Sequence, residues 1–354
     1  MQTQSSPGVA PSVTVLLPVY NAAATLASAV DSIRRQTFTD WELLAVDDGS
    51  TDGSREVLAA ARRTDSRARV LDLTHGGVVA ALNAGLAEAR GDLIARMDAD
   101  DESHPERLAA QVRYLQENPD FGVVGCLVEY GGDRAANEGY ALHADWLNSL
   151  VTPEQMALNR FIESPFAHPS VMFRRELVGR HGGYRDGDFP EDYEMWLRWA
   201  EAGVRMGKVP RVLFTWRDPP DRLSRTDSRY DVEAFYRMKA EWIAKEVARV
   251  DLDGQKRLEG RPLHLFVWGA GRPTRKRAAY LEAHGLRISG YIDVDPKKTG
   301  RRLDGRPVVA PAALPPAGDV FVLGYVANRG ARELIRSELT GRGYVEGRDF
   351  LMCA

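Results

Sequence analysis

Val13-Thr14-Val15-Leu16-Leu17-Pro18 and Trp41-Glu42-Leu43-Leu44-Ala45-Val46-Asp47-Asp48 decide the fold. The first run is apolar on both faces, the mark of a strand buried in a parallel sheet, and it stops at Pro18. The second ends in Asp47-Asp48-Gly49-Ser50. Between them, Thr25 to Gln36 sets Leu26, Ala29, Val30 and Ile33 at helical spacing. The alternation continues. Arg69 to Leu73 and Asp92 to Met97 read as strands, Val78 to Arg90 and Pro105 to Asn118 as helices, with Pro105 suited to a first turn. Such alternation predicts a mostly parallel, doubly wound α/β sheet, whose ligands collect beyond the carboxyl ends of the strands. Both acidic clusters, Asp47-Asp48 and Asp98 to Asp101, fall at those ends.

Further along, Gly131 to Phe166 is rich in Gly, Asn and charge without a sustained apolar period, and reads as a loop-rich insertion. Helical pattern returns at Glu191 to Ala202. Two short strands are expected around Val204 to Trp216, then a long amphipathic helix from Tyr230 to about Val250. Between Asp251 and Pro262 the chain is polar, and a new strand begins at Leu263 to Trp268. The expected partition is a disordered N-terminus over 1–11, a first domain over 12–250, a linker over 251–261 and a small Rossmann-like α/β domain over 262–354.

A length of 354 residues fits two domains. The net charge of -3 comes from balanced acids and bases, which argues against a nucleic-acid surface. Cys126 and Cys353 have no metal-ligand spacing and read as reduced, cytoplasmic thiols. The polar start lacks the features of a signal peptide, and no apolar run is long enough to span a bilayer. A membrane-embedded partner could still bring the chain to the inner face of a membrane.

In Ala95-Arg96-Met97-Asp98-Ala99-Asp100-Asp101 the acids follow a strand, so Asp98 and Asp100 point to one side and Asp101 begins the turn. Two carboxylates on one face suit a hard divalent cation, which can neutralise a departing diphosphate. An Asp-rich cap for the helix near Pro105 is the competing reading. Asp48, ending the neighbouring strand, favours a pocket, since it can accept from a nucleobase imide or a sugar hydroxyl. Asp52 reads as a helix cap.

Together, Pro18-Val19-Tyr20-Asn21, Asp47-Asp48-Gly49-Ser50, Ala81-Leu82-Asn83-Ala84-Gly85 and Asp98-Ala99-Asp100-Asp101 resemble the inverting family 2 glycosyltransferases of the GT-A fold, over residues 12 to 240. The resemblance implies a nucleotide-sugar donor, UDP being the commonest, and a glycan or lipid-linked acceptor. It places Pro18, Tyr20 and Asp48 in the nucleoside pocket, Asp98 on ribose or metal, and Asp100 as the principal ligand of Mn²⁺ or Mg²⁺. Asn83 and Arg96 are either pocket residues or packing residues. The family's Glu-Asp pair before a Trp-containing helix is matched by Glu191-Asp192 and Trp196, which puts Asp192 forward as the base that deprotonates the acceptor. His168 either bonds the base or a phosphate, or fixes the turn before Pro169. Arg217 and Arg225 resemble the closing segment that reaches the diphosphate, although Asp218-Pro219-Pro220 stands where the family often carries a histidine.

Val267-Trp268-Gly269-Ala270-Gly271-Arg272-Pro273-Thr274 resembles a dinucleotide fingerprint with Thr274 at the third glycine, and Ile292-Asp293 ends the next strand. The domain also resembles the nucleotide-binding-like half domains attached to sugar-modifying transferases, with protein docking or acceptor positioning as its expected use. Two other function classes stand beside the transferase: an NAD(P)-dependent oxidoreductase built on the second domain, and a non-catalytic nucleotide-sugar-binding module.

Overall fold

The structure is a computed structural model that describes residues 10–219, 222–255 and 264–354, with side chains of the long helix described to residue 250. The expected disorder over 1–11 therefore falls largely outside the described residues, as does most of the expected linker. The described residues divide into two compact units: those within 10–156, 165–187, 198–219 and 222–226 form the first, and those within 157–164, 188–197, 227–255 and 264–354 the second.

The first unit opens with the repeat read from the sequence: β1 Val13–Val19, α1 Leu26–Arg34, β2 Trp41–Asp47, α2 Ser54–Thr64, β3 Ala68–Asp72, α3 Val78–Glu88 and β4 Leu93–Arg96. After it come β5 Glu102–Ser103, α4 Arg107–Glu117 and β6 Phe121–Tyr130. Next are α5 Glu138–Ser149, β7 Met172–Arg174, α7 Glu176–His181, β8 Arg205–Trp216 and α9 Leu223–Thr226, while α6 Pro153–Asn159 and α8 Glu191–Glu201 are each divided between the two units. One sheet takes the strand order β3-β2-β1-β4-β7-β6-β8-β5, parallel except where β7 and β5 pair antiparallel with their neighbours.

Burial explains these elements. Every residue of β2, and all of β1 but Pro18, is buried, as a sheet covered on both faces requires. Helix α1 buries Leu26, Ala29, Val30 and Ile33, the stripe its spacing predicts. Helix α3 comes so close to β1 that a Cβ on Gly85 would collide with Leu16.

Two readings are corrected. The segment 131–166 is not mainly loop, for α5 and α6 occupy much of it. The buried face of α5 consists of Ala141, Ala144 and Leu147, and two alanines give little apolar signal. The pair of short strands near Val204 to Trp216 is one strand, β8, whose register against β6 shifts twice near Leu127. A bulge of this kind breaks the alternation in sequence while the strand continues.

The second unit contains α10 Val232–Gln255, β9 His264–Trp268, α11 Arg272–Ala283, β10 Ile288–Ile292, β11 Arg302–Leu303, β12 Arg306–Val309, β13 Val320–Gly324, α12 Ala331–Gly341 and β14 Phe350–Met352. Its sheet runs β11-β12-β10-β9-β13-β14, parallel apart from the β11–β12 hairpin. The long helix, grouped with the first domain by the sequence, buries Tyr236, Ala240, Ile243 and Val247 in one core with Leu265, Val267, Phe321 and Leu351. Shared apolar burial assigns it to the second unit. No helix among the described residues is long and apolar enough to cross a membrane.

Candidate active site

Strand β4 ends at Arg96, and the chain that follows carries Asp98, Asp100 and Asp101 into one cluster. Each offers a carboxylate oxygen, and these atoms all lie within 4.8 Å of one another. Burial, and then the charge of Asp98, pushes the Asp100 carboxyl up to about 6. Asp101, 1% exposed, is raised well above the ordinary carboxylate range, again by burial first and then by its two acidic neighbours. Like charges gathered in a poorly solvated place are the electrostatic condition that a bound cation relieves. The donor set is hard oxygen, which fits Mg²⁺ or Mn²⁺. Asp101, read from the sequence as the start of a turn, is thus the most buried member of the trio.

Neighbouring groups fix the cluster. Arg96 forms an ion pair with Asp98. Beneath it lies Arg107, fully buried, which donates to the carbonyls of Arg96 at 2.6 Å and Val171 at 3.2 Å, to Ser103 Oγ at 2.8 Å and to Gln111 Oε1 at 3.1 Å. Burial lowers its guanidinium to about 10, which still leaves it charged at neutral pH. Sequence reading missed Arg107, because a helix-face arginine ordinarily reads as a solvated charge.

On the adjoining strand ends, Asp48 is 3% exposed and accepts the backbone N–H groups of Gly76 at 2.8 Å and Gly77 at 2.9 Å, one on each oxygen. His75 Nδ1 stands 2.9 Å from the same carboxylate. The His75 ring stacks on Tyr20, with centroids 4.1 Å apart and an 18° tilt, while Tyr20 remains half exposed. Asp48, His75 and Tyr20 thus form a slot wall with a carboxylate edge and an aromatic face, beside Pro18 at the end of β1. Asp47, by contrast, is spent on Arg55 at 2.8 Å and the N–H of Ser50 at 3.2 Å. Asp52 accepts from the backbone of Ser54 and Ala23, a turn-fixing role.

Asn83 lies elsewhere. Its side-chain amide donates to the carbonyl of Tyr184 at 2.8 Å and accepts that residue's N–H at 3.1 Å, so it clamps a backbone. The Tyr184 hydroxyl in turn meets His168 Nε2 at 2.8 Å. Burial, reinforced by the charge of Arg96, holds the His168 imidazole well below its ordinary value and therefore neutral.

Past the end of β8 the arginines have separate partners. Arg217 turns its guanidinium to Glu102 and gives its backbone N–H to Asp101 at 2.8 Å. Arg225 pairs with Asp218 at 2.5 Å and lies over Tyr140. Arg222, not singled out by any motif, lies 4.2 Å over the Trp216 ring, and it is the cation whose field most lowers the Asp100 and Asp101 carboxyls.

In the second unit, Glu191 and Asp192 stand in the first turn of α8, and Glu191 accepts the Tyr230 hydroxyl at 2.7 Å. Here too Gly269 has a φ of +113°, the conformation expected of a glycine-rich turn. Asp293, however, accepts from the N–H groups of Ala270 and Asp295 at 2.9 Å each and from Lys298 at 3.0 Å. These bonds commit the carboxylate to the turn itself, so the geometry lends the oxidoreductase reading no specific support.

The family described as glycosyl transferase family 2 matches residues 14–182. The putative glycosyltransferase EpsE of Bacillus subtilis is 33% identical over 228 residues, 63% of this chain and 79% of its own length. The O-antigen biosynthesis glycosyltransferase WbnJ of Escherichia coli is 31% identical over 210 residues, 58% of this chain and 79% of its own. Among solved structures, S. aureus TarS 1-349 in complex with UDP-GlcNAc aligns with a TM-score of 0.50 at 16% identity, over 75% of this chain and 78% of that one, a likeness of fold.

Proposed function

Because this chain belongs to glycosyl transferase family 2, and so is a glycosyltransferase of the GT-A fold, we propose that it moves a sugar from a nucleoside diphosphate to a hydroxyl acceptor, inverting the anomeric carbon. The observation that carries this reading is the convergence of Asp98, Asp100 and Asp101 beside the Asp48 slot at the carboxyl ends of β1, β2 and β4. Asp100 and Asp98 would hold Mn²⁺ or Mg²⁺, with Asp101 behind them. Bound there, the cation supplies charge neutralisation to a departing diphosphate.

The chain's own groups do the rest. Tyr20 and His75 offer a ring face to a nucleobase, and the Asp48 edge accepts from its N–H, with UDP the donor nucleotide to test first. Arg96 orients Asp98, and Arg222, stacked over Trp216 with its charge acting on the Asp100 and Asp101 carboxyls, is the cation suited to the diphosphate. Asp192, in the first turn of α8, is the carboxylate that takes the acceptor proton. The names of WbnJ, for O-antigen biosynthesis, and of the amylovoran biosynthesis glycosyltransferase AmsE of Erwinia amylovora favour a glycan as acceptor. We place the reaction in the cytoplasm, at the inner membrane face when the acceptor is lipid-borne, consistent with two buried free thiols.

Asp192→Asn tests the assignment. Donor binding should persist while transfer to any acceptor that the wild-type chain uses drops by roughly 10³-fold, and NMR of the wild-type product should show the inverted anomer. Full transfer by this variant would remove Asp192 as base.

A further inference from the structure

Charge is segregated along the chain. Residues 264–354 carry 15 Lys and Arg against 9 Asp and Glu, a net +6, which leaves -9 for the rest of a chain whose total is -3. Half of that excess lies on one part of the second unit, where Arg272, Arg275, Lys297, Lys298, Arg301 and Arg302 stand against Asp293, Asp295 and Asp304, a net +3. The turn after β10 reads Val294-Asp295-Pro296-Lys297-Lys298-Thr299-Gly300-Arg301-Arg302, and the hairpin that follows is tied to the first turn of α11 by Arg275, bonded to both oxygens of Asp304 at 2.7 and 2.8 Å. Arg272 lies three residues before Arg275, on the same side of that helix.

The nearby acids are already engaged. Asp304 is held by Arg275, and Asp293 by Lys298 and two backbone N–H groups. Arg272, Lys297, Arg301 and Arg302 are exposed, and none makes an ion pair among the described residues. Amid them stands Val294, 74% exposed, the most exposed large hydrophobic side chain described. An apolar side chain standing out among unpaired cations is the composition of an interfacial anchor. The segment 294–302 has no aromatic ring on which a nucleic-acid base could stack.

We propose that this basic crest of the second unit docks on an anionic lipid bilayer. The cations meet the headgroup phosphates and Val294 enters the headgroup layer. Docking is independent of the donor chemistry and would hold even if the transfer reading failed.

The test is co-sedimentation of the full chain with phosphatidylcholine vesicles, with and without phosphatidylglycerol. The wild-type chain should sediment only with the anionic vesicles and be released at ~0.5 M salt. Joint Arg272→Glu, Lys297→Glu and Arg301→Glu substitution should weaken partitioning by at least roughly 100-fold. The charge-keeping Arg272→Lys and Arg301→Lys pair should retain it. Val294→Asp should weaken binding and Val294→Trp strengthen it, which decides the matter even if the triple variant folds poorly. Failure to bind anionic vesicles, equal binding by the charge-reversed and wild-type chains, or binding to RNA in place of lipid would overturn the proposal.

Discussion

The carboxylate of Asp101 accepts the backbone N–H of Arg217 at 2.8 Å across 116 residues of sequence. That bond joins the loop after β4 to the end of β8, where the Trp216 ring carries the Arg222 guanidinium. It also separates two arginines that look alike in sequence. Arg217 is occupied with Glu102, whereas the charge of Arg222 reaches Asp100 and Asp101. Arg222→Ala should therefore weaken UDP binding in the presence of Mn²⁺ by roughly tenfold, and Arg217→Ala by less, as read by titration calorimetry. The reverse order would show that Arg217 leaves Glu102 to hold the diphosphate.

The Asp100 carboxyl, pushed up to about 6 from an ordinary 3.8, predicts a pH signature. Between those values the folded chain keeps a proton that the unfolded chain releases, so stability falls as pH rises through the window. With metal chelated, Asp100→Asn should melt higher than wild type above pH ~6 and no higher below pH ~4. Added Mn²⁺ should reverse the ranking above pH ~6, where the wild-type carboxylate is ionised. Parallel melting curves for the two chains across pH would refute the assignment.

Arg107 lies wholly inside the protein yet satisfies four acceptors around the end of β4. Replacing it with Met keeps the packing volume but strips donors from the Arg96 and Val171 carbonyls. Urea denaturation should show a loss of about 2–4 kcal/mol, and donor binding should weaken with it, because the strand end that presents Asp98 loosens.

Gly85 tests the packing of α3 on β1. Its added methyl would run into Leu16 and lie 3.0 Å from Val46. Alanine has the better helix propensity, worth about 1 kcal/mol. Overpacking should outweigh it, lowering stability by about 1–3 kcal/mol in thermal melts. An unchanged or raised melting temperature would mean that the helix can shift at little cost.

Sequence revealed the elements whose signal is local. The β1 and β2 runs, the α1 stripe and the Asp98 to Asp101 cluster all stand where residue pattern places them. What escaped depends on distant partners. Strands β5 and β7 are two and three residues long and exist through their pairing with β8, β4 and β6. Helix α5 is buried through small residues, and α10 declares its core only once β9 and β13 are beside it. His75 became legible when its ring was found stacked on Tyr20, 55 positions earlier in the chain. Asn83 shows the opposite case, a motif residue whose amide is engaged with the backbone of Tyr184.

The central claim is that the Asp98, Asp100 and Asp101 cluster makes nucleotide-sugar binding depend on a divalent metal. Titration calorimetry with a panel of nucleotide sugars, in Mn²⁺ and in chelator, tests it most directly. The account predicts that one donor binds the wild-type chain at least roughly 100-fold more tightly with Mn²⁺ and that Asp100→Ala loses this gain. Equal donor affinity with and without metal, or an undiminished Mn²⁺ effect in Asp100→Ala, would contradict it.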